Sequence, residues 1–251
     1  MFRAFSTIFI ICFVTVCAYS QTAVSEYKKS SLKIPEIFNR VEDSLKKEFA
    51  DKNLSYPPKE MYLRSFKYDR QLEIWVKGEA SEPFQLFKTY KVCMQSGTMG
   101  PKRMQGDYQV PEGFYYINEF NPNSNYHLSL GLNYPNSSDK ILSDPVRPGG
   151  DIYIHGSCVS TGCIPINDKP IEELFVLANR VKESGDEFIP VHIFPVNYNQ
   201  KKSFEFLAQS TKDNQALQQF AVSLKSAFDI FEEKKALPII MVNKKGQYLI
   251  Q

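Results

Sequence analysis

The segment that most constrains this chain is His155–Cys163, which reads HGSCVSTGC. A short apolar run, Ile152–Ile154, leads directly into the segment and predicts a β-strand that ends at the histidine. Gly162 follows a serine and a threonine and predicts a tight turn just before the cysteine. The fold must therefore bring the end of a strand against a turn, with an imidazole and a thiol in the same small region.

The first twenty residues have the three-part layout of a secretory signal peptide. Arg3 supplies a positive start, and Ile8–Val16 is an apolar run. The small residues within Ala18–Ser20 predict cleavage before Gln21. The apolar run is well short of the roughly 20 residues that a transmembrane helix needs. We therefore expect export to the periplasm or cell envelope, with no stable membrane insertion after cleavage.

The composition is that of a folded domain. Hydrophobic residues make up 43% of the chain and charged residues 23%, which is close to the average of soluble globular proteins. Thirty basic and 28 acidic residues give a net charge of +2. Because duplex nucleic-acid binding usually needs a basic surface, we expect no nucleic-acid partner.

Hydrophobic periodicity predicts a chain of mixed helices and strands. Apolar residues recur at helical spacing from Ile34 to Phe49 and from Phe204 to Phe231, and a further helix is predicted from Asp168 to Gly185. Predicted strands are Leu72–Val76, Phe84–Val92, Tyr126–Leu132, Ile152–Ile154 and Phe188–Val196, followed by a final hairpin of Ile239–Val242 and Tyr248–Ile250. Three glycines and a proline predict a loop from Gly97 to Asp107.

Cys163 is a candidate nucleophile. Removal of the leader leaves Cys93, Cys158 and Cys163, and an odd number in an exported chain leaves at least one thiol unpaired or joined to another chain. An ordinary thiol, with a pKa of about 8.5, is only a few per cent ionised at neutral pH. The imidazole of His155 would take its proton. Gly162 would let backbone N–H groups form an oxyanion hole, worth roughly 3 kcal/mol per donor.

Two other uses of these residues stay open at the level of sequence. A Cys158–Cys163 disulfide would leave no nucleophile, whereas a Cys93–Cys158 disulfide would spare Cys163. Alternatively, His155, Cys158 and Cys163 would bind zinc, with His192 or Cys93 as the fourth ligand. Outside that interpretation, His192 lies in an apolar strand pattern and is predicted to be structural.

These residues resemble the signature of the YkuD-type L,D-transpeptidases, in which His-Gly is followed by Ser-x-Gly-Cys. The resemblance extends over about residues 35–251. It includes GPKRMQGDYQVPEGFYYI (Gly100–Ile117), YHLSLGLNYPNSSD (Tyr126–Asp139), VHIFPV (Val191–Val196) and the tail Phe228–Gln251, the last two being similar to the YafK-like branch.

The resemblance implies chemistry on the peptide stems of peptidoglycan, with no metal or cofactor. Cys163 would be the nucleophile and His155 the general base, oriented by the carbonyl of Gly156. Ser160 stands at the Ser/Thr position of the signature, and Gly162 precedes the nucleophile. The enzyme would expel D-alanine, form a thioacyl-enzyme and pass the acyl group to an amine of a second stem. That transfer gives a 3→3 cross-link.

The resemblance also implies the fold and the domain layout. We expect a mainly β chain with α-helices (α+β), built on a β-sandwich-like sheet assembly with helical additions at both ends. The expected layout is a signal peptide at residues 1–20, an N-terminal helical extension at 21–55 and the catalytic domain at 56–200. A C-terminal helix and hairpin at 201–251 would pack on that domain.

Two departures from the family pattern leave the acceptor open. Only seven residues separate His155 from Cys163, where many transpeptidases have well over ten. Pro165 stands where many carry arginine or asparagine. Both departures are similar to the YafK-like branch and keep a hydrolase open, with water replacing the amine and cleaving stem-peptide or peptidoglycan–protein links. A peptidoglycan-binding module without turnover is the non-enzyme alternative.

Three further residues are candidates for substrate binding. Lys102 follows Gly-Pro in the predicted loop and would pair with a stem-peptide carboxylate, or else be a solvated lysine. His127 begins a predicted strand and would line the groove, or else be a core or rim residue. Arg147 would clamp the substrate, or else be a surface cation.

Overall fold

The computed structural model describes residues 34–251. The predicted signal peptide at residues 1–20 and the first part of the expected N-terminal extension lie outside the described residues. Within the described part of the chain, no helix is both long and apolar enough to cross a membrane.

Residues 34–251 contain ten strands and five helices. The strands are β1 (Glu60–Phe66), β2 (Gln71–Lys77), β3 (Gln85–Lys91), β4 (Gly113–Asn121), β5 (Ser129–Leu132), β6 (Tyr153–His155), β7 (Ile164–Pro165), β8 (Pro190–Phe194), β9 (Ile240–Val242) and β10 (Tyr248–Ile250). The helices are α1 (34–51, from the first described residue), α2 (Ser137–Leu142), α3 (Asp168–Glu183), α4 (Lys201–Thr211) and α5 (Gln215–Lys234). The predicted α+β class is confirmed.

Eight strands form one mixed sheet in the order β3-β2-β1-β8-β4-β5-β6-β7. Strand β4 belongs to both halves of this sheet, because its residues Gly113–Tyr116 pair with β8 and Ile117–Asn121 pair with β5. The register of the β4–β5 pair shifts between Ile117 and Glu119, as expected where a strand bends to pass from one half of a sheet to the other. This switch places the β5-β6-β7 half, which carries the His155–Cys163 segment, at one end of the sheet.

The helices cover the sheet through apolar faces. The α1 residues Ile37, Val41, Leu45 and Phe49 are buried, as their helical spacing predicts, and they join the core cluster that contains α3 and the central strands. Helix α5 packs through Leu224 and Phe228 onto a second cluster formed with the end of β8. The helices at both ends of the chain are therefore packed on the sheet.

Three elements differ from their predicted bounds. The helical pattern from Phe204 to Phe231 is two helices, α4 and α5, because the Asn214 side chain accepts from the Leu217 amide and begins a new helix. The strand predicted from Tyr126 begins only at Ser129, so His127 precedes the strand. The structure also contains β1, β4, β7 and α2, which the sequence patterns did not predict.

Candidate active site

The pairing of β6 with β7 places the backbone segments that carry His155 and Cys163 side by side. The two strands are parallel, with Ile154 opposite Ile164 and His155 opposite Pro165. Cys163 immediately precedes β7, so its backbone lies beside the end of β6 that carries His155. The intervening turn thus returns the chain beside the strand from which it left.

The His155 ring is fixed by a main-chain contact. Its Nδ1 lies 2.5 Å from the carbonyl oxygen of Gly156. Because a carbonyl oxygen only accepts, Nδ1 carries the proton and Nε2 keeps its lone pair. The side chain is buried, and the Tyr126 ring covers it with 4.7 Å between ring centroids. Burial lowers the pKa of His155 below its ordinary value of 6.5, against a smaller raising effect of the Gly156 hydrogen bond.

The Cys163 thiol is free and half-buried. Its Sγ lies 3.5 Å from the carbonyl oxygen of Asp151. Burial and the negative charge of Asp151 raise the pKa of Cys163, whereas a hydrogen bond from the Tyr153 backbone N–H and, least of all, the positive charge of Lys102 lower it. Since burial disfavours the charged form of both groups, the pair rests as a thiol and a neutral imidazole near pH 7. The imidazole is thus in the form that can accept a proton.

Ser160 organises the turn before the thiol. Its Oγ donates to the Cys163 carbonyl at 2.8 Å and accepts from the Gly162 N–H at 3.1 Å. Gly162 adopts φ +139°, and a Cβ there would lie 3.1 Å from the carbonyl oxygen of Gln109. Glycine is therefore required at this position. In this conformation the Gly162 N–H donates to the Ser160 hydroxyl.

Gly156 is needed for a different reason, which is close approach. A Cβ at this position would lie 2.6 Å from the Tyr126 carbonyl oxygen and 2.7 Å from Asp168 Oδ1. The same Asp168 oxygen accepts from the Ser157 N–H at 2.8 Å, so it could not move aside without losing this hydrogen bond. Any side chain at residue 156 would push apart the groups that surround the histidine.

Of the two disulfides left open by the sequence, the structure forms Cys93–Cys158, with 5.8 Å between the Cα atoms. Cys163 remains a thiol. The zinc alternative fails because Cys93 and Cys158 are bonded to each other, and His192 lies in the core with its Nδ1 2.8 Å from the Tyr62 hydroxyl. Residues 34–251 hold no group of three or more His, Cys, Asp or Glu side chains suited to a metal.

The chain matches the YkuD L,D-transpeptidase catalytic domain over residues 67–193, which is half of its length and includes both His155 and Cys163. It is also 31% identical over 206 residues to YafK, an L,D-transpeptidase family protein of Escherichia coli (strain K12). That alignment covers 81% of this chain and 78% of YafK. This chain belongs to the YkuD family. The YafK protein of Escherichia coli O157:H7 matches to the same extent.

Two solved structures are similar at lower identity. One is the helical cell shape determining protein Pgp2 from Campylobacter jejuni, with a TM-score of 0.43 and 21% identity, covering 73% of this chain and 72% of that chain. The other is Bd1075 of Bdellovibrio bacteriovorus, with a TM-score of 0.42 and 19% identity, covering 78% of this chain and 81% of that chain.

The three substrate-binding candidates of this YkuD domain occupy different settings. Lys102 is buried and forms an ion pair with Asp107 at 2.5 Å, so its interpretation as a solvated loop lysine is wrong. Arg147 is exposed on the loop that leads to Asp151 beside the thiol. His127 pairs through Nε2 with Glu172 Oε1 at 2.7 Å.

A buried ion pair that the sequence analysis missed supports the loop of Lys102. Lys67 Nζ lies 3.0 Å from Glu112 Oε1, and both side chains are at most 1% exposed. The same lysine donates to the carbonyls of Thr98 and Gly100, and Glu112 accepts from the Gly100 N–H at 2.6 Å. Burial lowers the pKa of Lys67, while Glu112 opposes the shift. The Pro-Glu-Gly sequence before β4 was the available signal for this pair.

Proposed function

We propose that this protein is a cysteine-dependent acyltransferase of peptidoglycan stem peptides, with Cys163 as nucleophile and His155 as general base. One observation carries the proposal. In a chain of the YkuD family, Cys163 is the one cysteine of residues 34–251 outside the disulfide, and it directly precedes the strand that pairs with β6, where the His155 Nδ1 is fixed by a carbonyl. A free thiol with a base of defined tautomer is suited to acyl transfer.

In the first step the neutral imidazole accepts the Cys163 proton at Nε2, and the sulfur attacks the carbonyl of the diamino-acid L-centre. The peptide bond to D-alanine breaks, and the imidazolium returns its proton to the leaving amine. In the second step an amine of another stem attacks the thioester. Its proton passes through His155 to the departing sulfur, which leaves a 3→3 amide link and the free thiol.

The electrostatics of the site support a general-base mechanism. The resting thiol and imidazole are both neutral, so charge develops only as the proton moves between them. The positive charge of Lys102 lowers the pKa of Cys163 and so opposes the raising effects of burial and Asp151. Because Lys102 is held in its ion pair with Asp107, we assign it to this electrostatic role and leave Arg147 as the exposed candidate for a substrate carboxylate.

Hydrolysis is the second candidate for the final step. The short His155–Cys163 spacing and Pro165, two residues after the proposed nucleophile, depart from the pattern of many transpeptidases and favour this candidate. Water would then replace the amine, and the products would be a shortened stem or a protein released from peptidoglycan. We propose that the protein acts in the periplasm or cell envelope after removal of residues 1–20.

The test is a profile of stem-peptide products after the purified protein is incubated with tetrapeptide-rich sacculi. Cys163→Ala is the negative control, and Cys158→Ser is the matched cysteine control, which we expect to keep most of the activity. New 3→3 dimers that depend on Cys163 would support the transpeptidase. Release of D-alanine or of linked protein without dimers would support the hydrolase instead. Identical profiles for wild type and Cys163→Ala would refute both and leave a binding module.

A further inference from the structure

The segment Tyr126–Leu128 surrounds the turn that carries His155. The Tyr126 ring lies over the imidazole, and the Leu128 carbonyl accepts from the Gly156 N–H at 3.1 Å. The His127 Cβ lies 3.0 Å from the place where a Cβ of Gly156 would be. The position of the histidine therefore depends on where this segment sits.

The segment needs an anchor, because its own backbone is strained. His127 adopts φ +78°, a region that side-chain-bearing residues rarely occupy. A residue held in this region persists only where surrounding contacts over-determine its conformation. The β5–β6 ladder begins with Ser129 opposite His155, two residues after His127, so it does not itself hold the His127 side chain.

Glu172 supplies the anchor from the second turn of α3. Its Oε1 lies 2.7 Å from His127 Nε2, and its side chain is 6% exposed. Its second oxygen accepts from Arg40 Nη2 of α1 at 2.8 Å. The Arg40 side chain is 60% exposed, so we expect its contribution to be smaller than that of the buried His127 contact. Helix α1 lies outside residues 67–193, the part of the chain that matches the family domain.

We propose that Glu172 and His127 are positioning residues for His155. They act through the Tyr126–Leu128 segment, and α1 adds to the anchor through Arg40. The N-terminal helix is thereby part of the support of the catalytic histidine. The kinetic part of this inference rests on the proposed function, but the geometric part does not.

The experiment uses ¹⁵N-histidine NMR, because the chain contains only three histidines. The His155 Nδ1–H resonance reports the hydrogen bond to Gly156 directly. We expect Glu172→Ala to speed exchange of this proton with solvent about tenfold. A change of this size corresponds to the free energy of one net hydrogen bond. His127→Gly relieves the backbone strain but removes the anchor, so it should have the same effect. Arg40→Ala should increase exchange two- to threefold.

Arg180→Ala is the matched control. Arg180 of α3 forms two hydrogen bonds with Glu42 of α1, at 2.7 and 2.8 Å, without contacting the His127 anchor. We expect this variant to lower the melting temperature while exchange of the His155 proton stays within twofold of wild type. The same set of variants is then assayed for stem-peptide turnover. Glu172→Ala should lower kcat about tenfold and leave KM within twofold, since the reacting pair and not the substrate site is displaced.

Two results would overturn the inference. One is an unchanged His155 resonance in both folded Glu172→Ala and His127→Gly. The other is an equal effect of Arg180→Ala, which would show that α1–α3 packing alone is responsible. If Glu172→Ala does not fold, His127→Gly tests the same contact. Absence of turnover in the wild type, with the NMR effects as expected, would refute the proposed function and support the positioning role.

Discussion

Replacing Lys67 by methionine should destabilise the protein far more than its single positive charge suggests. The ion pair with Glu112 has an N···O distance of 3.0 Å, and both side chains are at most 1% exposed. With an effective dielectric constant of about 20, Coulomb's law gives an attraction of about 5 kcal/mol. The variant removes this attraction and leaves a buried carboxylate without its partner. Removal of one member of a buried pair typically costs about 3–5 kcal/mol.

The assay is denaturant unfolding followed by circular dichroism, together with thermal melting. A loss of this size should lower the melting temperature by about 6–20 °C in a domain of this length. The double variant Lys67→Met/Glu112→Gln should recover at least half of the loss, because the glutamine keeps an acceptor for the Gly100 N–H and carries no charge. Lys201→Met is the matched control. Its ion pair with Glu205 is exposed and 3.8 Å long, so we expect a change below about 0.5 kcal/mol.

Two results would contradict this prediction. One is a free energy of unfolding of Lys67→Met within about 1 kcal/mol of wild type, and the other is a double variant that is no more stable than the single one. The first result would mean that water reaches the pair and screens it. The second would mean that packing of the lysine stem, and not its charge, stabilises the loop.

Three further outcomes are expected. Gly156→Ala should lower turnover at least tenfold, because its Cβ would meet backbone and carboxylate oxygens at 2.6–2.7 Å, whereas Gly150→Ala, with open space around it, should resemble wild type in the same assay. The acid limb of kcat/KM should lie below pH 6.5, because burial lowers the pKa of His155 and keeps the base neutral in mild acid; a limb above 6.5 would contradict this assignment. Burial lowers the pKa of His192 to about 3, so the folded state resists its protonation. The free energy of unfolding should therefore fall as pH drops from 6.5 to about 3, by up to about 5 kcal/mol from this residue, and His192→Gln should flatten that part of the measured stability profile.

Elements defined by strong local signals were predicted from the sequence. The helical spacing of Ile37, Val41, Leu45 and Phe49 corresponds to the buried face of α1. Asp168 does begin α3, and the final hairpin forms where its apolar runs predicted it. In these elements the residues that decide the structure lie within a few positions of one another, so periodicity and capping suffice.

The elements that were missed depend on distant partners. Strand β1 carries Arg64 and is followed directly by Lys67, and these two charged residues make a buried strand look exposed in the sequence. Arg64 is paired with Glu73 and Glu232, and its guanidinium also lies 4.8 Å from the Trp75 ring centroid. A charged side chain is read as exposed unless its partner is known. That partner becomes visible only once the sheet and α5 are assembled.

The candidate site shows the same division between local and distant information. The proposed reacting pair is encoded in a nine-residue segment, whose two ends lie side by side because β6 and β7 are neighbours. The contacts around this segment come from far along the chain: the Cys93–Cys158 disulfide spans 65 residues and the His127–Glu172 contact spans 45. A motif therefore predicts which atoms react, whereas the surroundings of those atoms depend on long-range contacts. Substitutions far from the motif, at Glu172 above all, should consequently alter catalysis without touching either reacting group.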